Sequence, residues 1–290
     1  NGRRVMAGAP NDAAAMAEAE KQQGNAALAA GDAAGAVRHF SRAISLQPGN
    51  HILYSNRSAA YVSSGDHAKA LEDAEETVRL APEWAKGYGR KGMALFQLNR
   101  FDAAVDAYKA GLRVDPANEA LRSGLAAAEK KIFASEANVQ AEERINKGKH
   151  GQALQFIDKA VELDPGNALY HVNRALVCTH TRNAAEGAKE ADIAIQLRPD
   201  WHRGYQRKAE ALAAQSLFDD ACALYAYALQ LNPGNEALTS AFQKCQTDAF
   251  LQKKRKEHEK TKEAAAAAGG GKAKGSSKAK RPQKEKRKWI

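Results

Sequence analysis

Six prolines mark a fixed interval along this chain. Pro48, Pro82 and Pro116 are 34 residues apart, and Pro165, Pro199 and Pro233 repeat the step. A sustained period of this length constrains a fold more than any local propensity, because each period must be one structural unit stacked on its neighbours. Each proline also closes the same cadence: a small residue, then Ala, an apolar or aromatic residue four positions on, another small residue, and Pro. The first unit reads Gly24, Ala36, Phe40, Ala43, Pro48; the third reads Gly92, Ala104, Tyr108, Gly111, Pro116; the sixth reads Ala209, Ala221, Tyr225, Ala228, Pro233. Small residues let two antiparallel helices approach closely, the aromatic fills the space toward the next pair, and proline stops the second helix.

The cadence resembles that of the tetratricopeptide repeat. The resemblance implies an all-α superhelix, an α-solenoid of two three-repeat arrays, each with a capping helix, followed by a disordered basic tail. Repeats are expected at 17–50, 51–84 and 85–118, with a helix from Glu119 to about Phe133 as cap. Three more follow at 134–167, 168–201 and 202–235, and a closing helix begins near Glu236. The expected divisions are a flexible segment 1–16, a first repeat domain 17–133, a second repeat domain 134–250, and a basic extension and tail 251–290.

Composition supports a helical protein and narrows its chemistry. Aromatics are 7% of the chain and only eight of its 290 residues are Pro, which suits Ala-rich helices better than a strand-rich sandwich. No apolar run approaches the roughly 18 residues that span a bilayer, so no membrane partner is expected. Asn1 to Ala19 lacks an apolar stretch of signal-peptide length; Arg3 and Arg4 before small residues only loosely resemble a transit peptide. Cys178, Cys222 and Cys245 lack paired CxxC spacing and read as small core residues of a reduced, cytoplasmic or nuclear protein. The eight histidines are scattered, and HExxH, GxSxG and GxxxxGK[ST] motifs are all missing, so no enzyme, metal or cofactor is expected.

Charge is concentrated at one end. Residues 246–290 hold 15 Lys+Arg and 5 Asp+Glu, leaving 29 of each sign in the rest of the chain. Clusters at Lys253, Lys254, Arg255, Lys256 and at Lys284, Lys286, Arg287, Lys288 can serve as nuclear-import signals or as sequence-independent contacts with nucleic acid or the ribosome, or simply keep the chain soluble. Gly269, Gly270 and Gly271 should break the closing helix ahead of the tail.

In such a solenoid the first helix of each unit lines the inner groove. In the first array these helices carry Lys21 and Asn25, then Asn56, then Lys86 and Arg90, and spacing of four sets each pair on one face. Two Lys, one Arg and two Asn without acidic neighbours at those positions form a donor set suited to carboxylates. At these positions the strings KQQGN, LYSNRSAAY and WAKGYGRKG resemble the first repeat domain of the Hsp organising protein family, adaptors that join the 70-kDa and 90-kDa heat-shock chaperones. The resemblance implies a co-chaperone that binds the C-terminal EEVD of those chaperones through a carboxylate clamp. Lys21, Asn25 and Asn56 would hold the terminal carboxylate, Lys86 the Asp side chain, and Arg90 the peptide just upstream, with Leu28 and Ala59 lining a pocket for an aliphatic residue.

The second array departs from this set. Asn173, Arg203 and Arg207 stand where Asn56, Lys86 and Arg90 stand, and WHRGYQRK echoes WAKGYGRK, but Asn138 replaces Lys21 and Glu142 replaces Asn25. A carboxylate there repels a peptide's own terminus. This degenerate clamp is open to a different acidic segment, a client or no ligand. A competing reading of the whole chain is an RNA- or ribosome-associated scaffold acting through its basic tail.

Overall fold

The computed structural model describes residues 9–269, in which the chain forms 13 helices and no strand. The tail from 270 onward, with the cluster Lys284, Lys286, Arg287 and Lys288, and the start of the N-terminal segment, lie outside the described residues.

The first six helices are α1 (Ala9–Ala29), α2 (Ala33–Leu46), α3 (His51–Ser64), α4 (His67–Leu80), α5 (Ala85–Gln97) and α6 (Phe101–Val114). They are followed by α7 (Glu119–Asn146), α8 (His150–Leu163), α9 (Ala168–His180), α10 (Ala184–Leu197), α11 (His202–Ala214), α12 (Phe218–Leu231) and α13 (Glu236–Gly269). The chain divides into two compact units, Asn1–Asn173 and Arg174–Ile290. The first carries α1 to α8 and the start of α9. The second carries the rest.

Proline sets the end of every second helix. A residue before Pro is pushed out of the α region by clash with the pyrrolidine ring. Gln47 (φ −138°, ψ 72°), Ala81 (−142°, 74°) and Asp115 (−132°, 87°) obey this in the first unit. Arg198 and Asn232 do so in the second, at −144°, 81° and −141°, 74°.

The turn inside each repeat is equally regular. Gly31, Gly65, Asn99, Gly148, Arg182 and Ser216 all have positive φ, between 56° and 81°, and occupy the same place in successive repeats. Glycine takes that conformation without a Cβ penalty, whereas Asn, Arg and Ser do not. Where the next residue is Asp or Asn it caps the following helix: the Gly35 N–H donates to Asp32 Oδ1 at 2.7 Å and the Glu186 N–H to Asn183 Oδ1 at 3.3 Å.

The expected small-against-aromatic packing is present. A Cβ on Gly24 would come within 2.6 Å of the Phe40 ring, and one on Gly92 within 2.6 Å of the Tyr108 ring. Phe40, Ala36 and Ala43 are fully buried, as are Ala104, Ala221 and Ala228. In the first unit α1 packs on α3, α3 on α5, and α5 on α7, so these helices form one layer. The even-numbered helices back it.

Two boundaries differ from expectation. Helix α1 begins at Ala9, ahead of residue 17, because Pro10 is tolerated in a first turn, Asp12 favours it, and three alanines follow. The expected cap ending near Phe133 and the next first helix are a single 28-residue helix, α7, since Lys130 to Glu136 contains neither Gly nor Pro. Ala128, Ala134, Ala137 and Ala141 are all buried, so one face of α7 stays packed across that point.

Replacing Ser216 by Gly should stabilise the protein by about 0.5–1 kcal/mol, and replacing Gly65 by Ala should destabilise it by a similar amount. Urea denaturation measures both, and equal midpoints for the two variants would contradict the left-handed turn.

Candidate functional site

The five donors expected on the inner face all lie on the α1, α3, α5 layer. Lys21 and Asn25 belong to α1, Asn56 to α3, and Lys86 and Arg90 to α5. Asn25 and Asn56 are joined directly, the Asn56 Nδ2 donating to Asn25 Oδ1 at 3.2 Å. This bond uses the Asn25 oxygen as an acceptor and does not engage its amide N–H groups, which are its donors.

One expectation needs correction: Lys21 does have an acidic neighbour. Its Nζ lies 2.6 Å from Glu18 Oε2, one turn back on the same helix, and Glu18 is the more exposed partner. The Lys21 ammonium holds the Glu18 carboxyl below its ordinary pKa. Exposed i,i+3 pairs of this kind contribute little, so Lys21 can exchange Glu18 for another carboxylate at low cost.

Asn56 is steadied from behind. Its neighbour Arg57 makes a two-pronged bond to Asp73, Nε to Oδ2 and Nη2 to Oδ1, both at 2.7 Å, and Nη1 donates to Ser41 Oγ at 3.0 Å. Asp73 is buried, and its bond holds the Arg57 guanidinium above its ordinary pKa. Arg174 and Glu190 form the corresponding ion pair in the second unit. The sequence carries this signal as Arg57/Asp73 and Arg174/Glu190, each 16 residues apart, but it passes unnoticed without the fold.

Lys86 and Arg90 open onto a cavity of about 660 Å³ between α5 and α7, whose other walls include Met93, Phe96, Tyr108 and Leu121. Arg90 is half-buried; burial holds its guanidinium below its ordinary pKa, and its Nε has no hydrogen-bond partner among the described residues. A desolvated cation without a carboxylate is costly and is relieved by an incoming anion. Lys86 is exposed and lies over the Trp84 ring at 5.7 Å. The apolar walls were not anticipated, although exposed Met93 three residues after Arg90 is the signal that could have found them. Leu28 is half-buried against the Phe40 core, and Ala59 is half-buried on α3.

The second set is self-neutralised. Asn173 Nδ2 donates to Asn138 Oδ1 at 2.8 Å and to Glu142 Oε1 at 2.9 Å, and Asn138 Nδ2 donates to the same Glu142 oxygen at 3.0 Å. Asn138 and Asn173 are both buried. In the second unit Arg207 Nη1 lies 2.6 Å from Glu210 Oε2, and Arg203 lies over the Trp201 ring at 5.9 Å. Glu210 occupies the repeat position of Met93. Arg207 thus has a carboxylate at Nη1, where Arg90 has none among the described residues; the Nε of both arginines is without a hydrogen-bond partner there.

Among the described residues no three or more His, Cys, Asp or Glu side chains gather as a metal site, and no helix is long and apolar enough to cross a membrane.

Repeated helix pairs with an inner donor face define a tetratricopeptide-repeat solenoid. Models of the tetratricopeptide repeat match residues 21–83, 85–118 and 139–167. Two curated proteins show the likeness. The Hsp70-Hsp90 organizing protein of Triticum aestivum is 53% identical over 115 residues, covering 40% of this chain and 20% of that protein. The heat shock protein sti1 homolog of Schizosaccharomyces pombe is 50% identical over 114 residues, covering 39% of this chain and 19% of that protein. The chain thus spans about a fifth of the length of these relatives. Among solved structures, the P58(IPK) TPR domain matches with a TM-score of 0.60 at 16% identity, over 81% of this chain and 66% of that one, a likeness of fold.

Truncating Glu142 to Ala should destabilise the protein by about 1–3 kcal/mol, because the buried Asn138 amide loses its acceptor and Asn173 loses one of its two. Chemical denaturation tests this, and an unchanged midpoint would remove the network from the account.

Proposed function

We propose that this chain is a non-enzymatic co-chaperone adaptor whose first repeat domain, residues 17–133 with the continuation of α7, grips the acidic C-terminus of a partner. The partners are the 70-kDa and 90-kDa heat-shock chaperones, and the motif is EEVD. One observation carries the reading: five donors sit on three adjacent helices of one layer, with Asn25 and Asn56 hydrogen-bonded to each other and the desolvated Arg90 cation without a carboxylate partner among the described residues. A relative 53% identical over 115 residues, named Hsp70-Hsp90 organizing protein, supports it.

In this reading the terminal carboxylate lies over α1 and α3, where Lys21 leaves Glu18 and the free amide protons of Asn25 and Asn56 donate to it. Lys86 meets the final Asp side chain. Arg90 takes an oxygen of the preceding residues, while Leu28 and Ala59 flank the aliphatic side chain. The site of action is the cytoplasm, with nuclear entry through the basic tail.

The competing scaffold reading draws on the exposed run Lys253, Lys254, Arg255 and Lys256 on α13. The two readings part on one deletion: removal of 252–290 leaves EEVD affinity intact under the clamp, and abolishes RNA or ribosome binding under the scaffold.

Lys86→Ala and Arg90→Ala should each weaken binding of an EEVD-terminated peptide by about 2–5 kcal/mol, with Arg90 at the upper end because it is the more desolvated. Titration calorimetry of the full chain decides; affinity unchanged in both variants would refute the clamp.

A further inference from the structure

Cys222 on α12 and Cys245 on α13 are far apart in sequence but touch in the fold. Their Sγ atoms are 2.9 Å apart, with the Cys222 thiol donating to Cys245. The Cys245 thiol in turn donates to the Phe218 carbonyl at 3.4 Å. Both residues are free cysteines, Cys245 buried and Cys222 half-buried. A disulfide requires about 2.05 Å between sulfurs, so the two must close by less than 1 Å.

We propose that Cys222 and Cys245 are an oxidation site, a dithiol that a peroxide converts to an intramolecular disulfide joining α12 to α13. The access and the hydrogen bonds set the order of events. Cys222 is the thiol a small oxidant reaches. Its thiolate attacks one peroxide oxygen, the O–O bond breaks, and Cys222 becomes a sulfenic acid as hydroxide leaves and takes up the thiol proton as water. Cys245 then attacks the Cys222 sulfur, the S–S bond forms, and the sulfenic oxygen leaves as a second water with the Cys245 proton. Two thiols and one hydrogen peroxide give one disulfide and two waters.

Cys245 suits the second role. Burial, with help from Cys222 and from the nearby Asp248 and Asp219 carboxylates, pushes its thiol up to about 12. It is therefore the less reactive of the two toward free peroxide, and its place 2.9 Å from the Cys222 sulfur is what lets it react second.

The link fastens α13 at the point where it leaves the repeat core. Cys245 packs with Tyr225, Ala221 and Leu238 in the core of the second unit. About two turns further along, α13 is tied by Gln252 to the Ser216 carbonyl at 2.9 Å and by Lys253 to Asp219 at 3.0 Å, both contacts exposed. A covalent bond at Cys245 therefore holds the helix that carries the exposed basic run.

The test is to treat the full-length chain with hydrogen peroxide, block remaining thiols, and map peptides by mass spectrometry without reductant. The expected product is one linked peptide pair containing Cys222 and Cys245, lighter by two hydrogens and lost on adding dithiothreitol. Its formation should raise the melting temperature by roughly 5–10 °C, and Cys222→Ser should abolish both the link and the shift. Full alkylation of both thiols after peroxide treatment, a link from either to Cys178, or the same thermal shift in Cys222→Ser would overturn the proposal. The mapping on the unaltered chain stands whether or not Cys222→Ser folds.

Discussion

An aromatic ring against a residue without a side chain sets the distance on which the rest of the first unit depends. Phe40 seats on Gly24 and Tyr108 on Gly92, and at both places a Cβ would fall within 2.6 Å of ring carbon. Two helices can approach this closely only if the opposing residue is small, and close-packed interiors do not relax to admit an extra methyl cheaply. The contact fixes the rotation of α1 and α5 about their own axes. That rotation is what turns Lys21 and Asn25, and Lys86 and Arg90, to the side away from the core. A donor face thus follows from a packing rule.

Punctuation then fixes the repeat length. Proline holds the preceding residue in extended geometry, and a left-handed residue reverses the chain between the two helices of each pair. Because both signals recur at one interval, each first helix arrives at the same place in the layer. The ion pair of Arg57 with Asp73 shows how the backing helix contributes: it anchors α3 through a buried carboxylate, and the adjacent Asn56 inherits a defined position.

Much of this was legible in the sequence because it rests on local rules. Pro48, Pro82 and Pro116 announce the helix ends, and i,i+4 spacing places the donors on one face. The fusion of cap and next helix in α7 was missed, since a repeat boundary was expected where Lys130 to Glu136 offers the helix no reason to stop. The Glu18 partner of Lys21 and the Glu210 partner of Arg207 both lie three residues along a helix, yet charge spacing alone does not say which rotamers meet. The cavity beside Arg90 and the contact of Cys222 with Cys245 join different helices, and linear spacing carries no record of such approaches.

The difference between the two donor sets is electrostatic. In the first, Arg90 is desolvated with no carboxylate partner among the described residues, and Lys21 holds an exposed one. In the second, Glu142 accepts from both Asn138 and Asn173, and Glu210 pairs with Arg207 at Nη1, while the Arg207 Nε, like that of Arg90, has no hydrogen-bond partner among the described residues. A donor already paired with a carboxylate of its own chain gains less from a ligand's carboxylate, because the ligand must displace that partner. The account therefore concentrates carboxylate recognition in the first three repeats. Its most direct test is calorimetric titration of the full chain with a peptide ending in EEVD and with the same peptide ending in an amide. Micromolar binding of the acid at one site per chain, lost in the amide, is the predicted result; equal binding of both, or binding of neither, would contradict it.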